Sequence, residues 1–181
     1  MPVVVRNADR ILERAIEHIE NIKRFGNDSN RTRMAGMLLL LSGRPLQELF
    51  NPATQYQPVG ARSILIKNRP YPLLCDVSTF TRGVAYLRGG TVVTGNRVNE
   101  LYASAVTRFL LSTFFIKASP RIVRHIFAAI AYKKYKITIT KEAFLKDIFD
   151  NKRLKGIPSI TFIGSTKDSA TKRSPERRTL D

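Results

Sequence analysis

The chain has 181 residues, 43% of them hydrophobic, which suffices for one domain with a real core and at most a tail beside it. Its 31 Lys and Arg against 14 Asp and Glu give a net charge of +17, well beyond the magnitude of about 2 to 8 that keeps a small domain soluble. A single cysteine, Cys75, excludes an internal disulfide and a cysteine-rich metal site, and no apolar run approaches the roughly 18 residues of a membrane span.

Such a field draws polyanions and works against self-association, so nucleic acid is the first partner to consider, ahead of a membrane surface or an acidic protein. The start, "MPVVVRNADR", is too short and too soon polar for a signal peptide, which points to an intracellular protein or one carried inside a particle. Over residues 7–25 apolar side chains recur at Ile11, Leu12, Ala15, Ile16, Ile19 and Ile22, the spacing of an amphipathic helix that ends at Gly26. "NDSN" offers caps for a second helix over 31–42, apolar almost all round from 34 to 41 and therefore central, with Gly43 at its end.

Pro45 opens a short helix or turn, and "NPATQYQPVG" reads as a loop by its prolines and polar residues. Two β-prone runs, 63–66 and 71–77, flank "KNRP" and read as a hairpin with Lys67 and Arg69 at its tip; Pro70 and Pro72 bar its second strand from central pairing. Ser78 caps a helix over 79–88, "GGTVVTGN" links it to a helix over 97–116, and Cys75 sits in an apolar run as a core residue. Ser119, with Pro120 at the first helical position, opens a helix to about residue 135. Thr140 caps another through 149, and 159–163 is one short strand.

The expected architecture is α+β and mainly α-helical, with a small hairpin or sheet, in one domain over 1–164: a helix over 7–26 and a core over 31–149. Residues 165–181 contain one apolar residue larger than Ala and read as a disordered basic tail. Its "KRSPERR" has the composition of a nuclear address or a Ser-Pro phosphorylation site.

The only histidines, His18 and His125, lie in different helices without neighbouring ligands, so no metal is expected. "RGGTVVTGN" lacks both the Walker lysine and the G-x-G-x-x-G order, and no other cofactor is expected either. What remains is basic residues at the ends of elements. Arg44 follows the central helix, Lys67 and Arg69 mark the hairpin tip, and Arg121, Arg124 and His125 share one face of the first turns of a helix. A helix N-terminus favours an anion, and guanidinium forks grip phosphate oxygens in pairs. Lys133, Lys134 and Lys136 would extend that track. The alternative is that Arg121 faces solvent, Arg124 pairs with a carboxylate and His125 packs.

"LLLLSGRPLQELF" resembles the first arginine box of the tyrosine recombinases, in which an apolar helix runs into Thr/Ser-Gly, an arginine and a Glu-Leu pair; arginine directly after glycine looks most like the protelomerase branch. "SILIKNRPYPLL" is similar to the family's hairpin with its catalytic lysine, and "SPRIVRHIFAAIAYKKYK" to the second box, His-x-Leu-Arg-His before a small-residue helix. The resemblance covers 31–149 in order. It implies that Arg44 and Arg124 stand on the two catalytic arginines and Lys67 on the lysine, with Arg121 where the family has His or Lys, Val123 where it has Leu, and His125 on the box's last position. It also implies the recombinase catalytic-domain fold.

The family's nucleophile is a tyrosine a few tens of residues after the second box. Here Tyr132 and Tyr135 are too close, on the same helix, and read as helix-end side chains with wet tips. Phe162 stands near the expected position, and the usual Gly-His is replaced by "IFDNKRL". The resemblance therefore implies a basic cleft that binds nucleic acid, DNA in preference to RNA, with little sequence preference and no covalent cleavage. It would serve in organising or packaging a genome, plausibly viral, in a virion or a host cell's nucleus or cytoplasm. Two other readings stay open: an active strand-transfer enzyme completed by a tyrosine from another chain, and a helical nucleocapsid or coat protein that multimerises on RNA.

Overall fold

A helix apolar on every side, as over residues 34–41, is satisfied only when other elements surround it. A computed structural model describes residues 3–22, 28–90, 92–135, 140–149 and 159–163. Gly26, Lys136 and the stretch 165–181 lie outside them, so the expectations for that lysine and for the tail do too; the first helix, expected to run to Gly26, already ends at Asn21, where Ile22 turns extended. In chain order the elements are β1 (Val3–Arg6), α1 (Ala8–Asn21), α2 (Asp28–Ser42), α3 (Leu46–Phe50), β2 (Gln57–Gly60), β3 (Ser63–Ile66), β4 (Arg69–Pro72), α4 (Val77–Arg88), α5 (Asn96–Phe114), α6 (Pro120–Lys134), α7 (Lys141–Ile148) and β5 (Ile160–Ile163).

Helix α2 is the axis of the molecule. Met34, Met37, Leu38, Leu39, Leu40 and Leu41 are fully buried, and α1, α4, α5 and α6 all pack on this helix. Amphipathic α1 contributes Ile11, Leu12, Ala15 and Ile19 to the core, against α2 and α4. Gly83 lets α4 come close, since a Cβ there would lie 2.8 Å from Leu38 Cδ2. Cys75 is buried as expected, and burial, the largest influence, pushes its thiol up to about 12. No helix among the described residues is long and apolar enough to cross a membrane.

Three strands form an antiparallel meander in the order β2-β3-β4. Residues 57–60, expected as loop, form its edge strand β2. Pro58 is tolerated there because β2 has a neighbour on one side only. The hairpin turn is shorter than "KNRP": Lys67 and Asn68 alone form it, at φ 49° and 60°. Two successive left-handed residues make a type I′ turn, whose twist matches that of the strands. Strand β4 therefore begins at Arg69 rather than Tyr71 and, as its prolines require, occupies the other edge.

After Pro72 the chain leaves the sheet, and Leu74 N–H donates to Leu41 C=O at 2.8 Å. That bond ties the hairpin to the C-terminal end of α2. Helix α4 starts at Val77 behind Asp76, not behind Ser78. Ser119 and Pro120 open α6 as expected, and Thr140 Oγ1 accepts from Ala143 N–H at 3.2 Å to cap α7.

The second sheet contains the expected strand at 159–163, but its partner β1 was not expected. Strands β1 and β5 pair in parallel, Val5 opposite Phe162, which joins the two ends of the described chain. A run of three valines at the start gives no alternation to read, and its partner lies more than a hundred residues away.

Candidate nucleic-acid interface

The site begins where α2 stops. Gly43 takes φ 61°, in the left-handed region, and any Cβ there would lie 2.3 Å from Phe127 Cδ1 on α6. Glycine is therefore required twice, by backbone conformation and by space. Ser42 Oγ donates to Leu38 C=O at 2.6 Å and accepts from Arg44 N–H at 3.2 Å, which sets the direction in which the next residue leaves. Pro45 then opens α3, and that one turn brings Glu48 back beneath Arg44.

Arg44 is 5% exposed, and its guanidinium is held on two sides. Nε donates to Glu48 Oε2 at 2.9 Å and Nη2 donates to the same oxygen, while the group lies 4.9 Å above the centre of the Tyr71 ring. The Tyr71 ring in turn stacks on Phe127, 5.8 Å between centroids and 5° between planes. Arg88 fixes the support from below, donating to the carbonyls of Glu48 at 3.0 Å, Leu49 at 2.9 Å and Thr54 at 2.9 Å.

The second arginine arrives 80 positions later. Arg124 Nε donates to Gly43 C=O at 2.7 Å, so its guanidinium is anchored on the residue directly before Arg44. Its other face lies 4.9 Å from the centre of the Phe149 ring. Tyr71 is buried within the fields of both arginines, yet burial dominates and pushes its hydroxyl up to about 12. It is a neutral wall of the site at ordinary pH.

The remaining residues divide. Arg121 is exposed at the start of α6, one turn before Arg124. Lys67 and Arg69 are exposed at the tip of the hairpin whose second strand carries Tyr71. Lys133 and Lys134 are exposed in the last turn of α6, at the opposite end of that helix from Arg121. His125 does not share the exposed face with Arg121. It is 5% exposed, and its ring packs 4.2 Å from that of Phe149. This burial corrects its expected place on the phosphate-binding surface. Tyr135 also differs: its hydroxyl donates to Leu73 C=O rather than to water, while Tyr132 packs near Phe144 at 5.7 Å. Phe162 is held in β5 opposite Val5, half-buried against the core.

Burial first, then Arg124 and Arg121, push the His125 imidazole down to about 4. Above the usual histidine range its ring is neutral in folded and unfolded chains alike. Between about 6.5 and 4 the unfolded chain binds a proton that the folded one refuses, so stability falls as pH is lowered through that window. His125→Phe is expected to reduce the drop in melting temperature between pH 7 and pH 4.5; thermal unfolding of both proteins at both pH values checks it.

Three contributors were not singled out from the sequence. Tyr71 was only the start of a β-prone run, Arg88 only the last residue of an expected helix, and Glu48 only part of a motif; each acts through a partner distant in sequence or on a neighbouring turn.

No protein-family profile and no curated protein matches the chain. Solved structures do. Protelomerase TelK complexed with substrate DNA superposes with a TM-score of 0.70 at 17% identity, over 90% of this chain and 38% of that one. Protelomerase TelA covalently complexed with substrate DNA gives 0.62 at 17% identity, over 81% and 54%, and a TelA mutant covalently complexed with substrate DNA gives 0.64 at 16%, over 88% and 60%. The chain thus has a protelomerase-like, mainly helical α+β fold, as its three motifs implied, and it spans between 38% and 60% of the length of these neighbours.

Proposed function

We propose that this protein binds DNA through its recombinase-like cleft, holding a backbone phosphate between Arg44 and Arg124 without attacking it. The observation that supports the reading is the Arg124–Gly43 bond, which anchors the second guanidinium on the residue directly before Arg44. Two guanidinium groups at one end of a helix suit a phosphate because each stays charged at any pH; with Arg44 Nε and Nη2 donating to Glu48 and Arg124 Nε to Gly43 C=O, a phosphate would be met by the remaining N–H donors. Arg121, exposed at the start of the helix that carries Arg124, and Lys67, exposed at the tip of the hairpin that carries Tyr71, would take flanking phosphates, and Lys133 and Lys134 would extend the track. The neighbours of the same fold are complexed with substrate DNA, two of them covalently. In this chain the strand near the expected nucleophile position carries Phe162, which has no hydroxyl.

Contacts to phosphate give affinity but little sequence preference. A net charge of +17 on a chain of 181 residues fits a role in organising or packaging a genome, in a virion or inside a host cell. Fluorescence anisotropy on two unrelated duplexes tests the reading. Equal affinities are expected, with log K falling linearly against log salt by about 0.9 per phosphate contacted. A preference of orders of magnitude for one sequence, or affinity that ignores salt, contradicts it.

A further inference from the structure

On another part of the molecule, α1, the start of α2 and the end of α5 enclose a second basic groove. It consists of three adjoining hollows of about 720, 260 and 330 Å³, the first two sharing Arg14 and Phe114 and the last two Arg33 and Phe109. Arg6, Arg10, Arg14, His18, Arg33 and Arg108 line it, and neither Arg44, Lys67, Arg121 nor Arg124 does. Arg33 lies on α2 nine residues before its end at Ser42, roughly 14 Å along the helix axis from where the first cleft begins.

The lining of these hollows carries charge of one sign, although acids stand close by on α1. Arg10, Arg14 and His18 follow one another at four-residue intervals along one flank of α1, about 6 Å apart. Glu13 and Glu17 follow Arg10 and Arg14 by three residues on the exposed surface of α1, and Glu20 turns to α4, where it accepts from Thr79 Oγ1 at 2.9 Å. No carboxylate lines any of the three hollows. Burial and the charge of Arg33 together hold the His18 imidazole below its usual range, so at neutral pH the ring serves as a neutral donor or acceptor among arginines.

At the wide end of the groove stands Phe115, 81% exposed and at φ 56°. A left-handed phenylalanine pointing its ring into solvent is uncommon. It contributes little to the core, and an exposed ring beside arginines is the combination on which bases stack while phosphates are gripped.

We infer that this groove is a second nucleic-acid-binding site, taking the phosphate backbone of a DNA segment other than the one held at Arg44 and Arg124. A chain with two such sites links two segments, which turns a DNA-binding protein into a condensing one. The groove is built from its own residues, but the linking of two segments rests on the proposed DNA binding by the first cleft.

The test uses the full chain, an immobilised duplex and a labelled free duplex of unrelated sequence. Wild-type protein is expected to capture the free duplex on the immobilised one. Arg10→Gln/Arg14→Gln/Arg33→Gln is expected to bind the immobilised duplex, capture none, and lower the salt slope by about 2 to 3. All three side chains are exposed, so its melting temperature is expected to match that of the wild type. A variant neutralised at Arg121 and Arg124 instead is expected to keep groove-dependent binding, which separates loss of the first cleft from loss of the second. Capture by the triple variant equal to that of wild type, or no capture by the wild type, overturns the inference.

Discussion

Arg124→Ala is expected to weaken duplex binding by about 10- to 100-fold at low salt, equally for unrelated sequences. Charge-assisted hydrogen bonds contribute about 1.5–3 kcal/mol each, and Arg124 would supply the less enclosed of the two forks. Loss of one phosphate contact also lowers the salt slope by about 0.9. Because Arg124 Nε holds Gly43 C=O, the alanine variant loses some stability as well. Arg124→Lys separates the two effects: it keeps the charge and most of the salt slope, but a point charge does not reproduce a planar fork, so its affinity falls between the two. Anisotropy titrations across a salt series read both quantities. Arg44 is a less clean target, since its removal strips Glu48 of its partner and uncovers the Tyr71 ring.

The largest effect on stability is expected from the smallest change, Gly43→Ala. An added methyl would have to displace Phe127, whose Cδ1 is 2.3 Å from where it would stand, and Phe127 is fully buried against the stacked Tyr71. Overpacking of this kind costs about 1–3 kcal/mol, and the left-handed backbone adds about 1–2 kcal/mol. For a chain of this size the sum corresponds to a fall in melting temperature of roughly 5–20 °C. Calorimetry reads it directly. A variant that melts with the wild type would mean that α2 does not end as described, and the position of Arg44 would go with it.

Much of this arrangement could be read from local pattern. The apolar run before Ser42, the Gly43–Arg44 pair and the Ser119–Pro120 start of α6 are decided by neighbours within a turn or two, and they place both arginines at helix ends. What they cannot specify is side-chain direction. Positions 121, 124 and 125 are neighbours on any helix, but only the packing of Phe149 decides that His125 turns inward while Arg121 stays in solvent. The same holds for the strands. Residues 63–66 form a β-prone run and were read correctly, whereas β2 carries Pro58 and Gly60 and exists because β3 offers it an edge. Strand β1 exists because β5 returns to it from the far end of the chain. Tyr71 belongs to this class too, since its importance lies in the two arginines and the phenylalanine around it rather than in its own stretch of sequence.

The central claim is that a phosphate is held at Arg44 and Arg124 and that nothing in this chain attacks it. It is tested most directly with a nicked suicide duplex, from which a strand-transfer enzyme could not release its covalent intermediate. A complex that forms in native buffer and dissolves completely in hot detergent is the expected result. A protein–DNA adduct that survives the detergent, or the absence of any native complex, would contradict it.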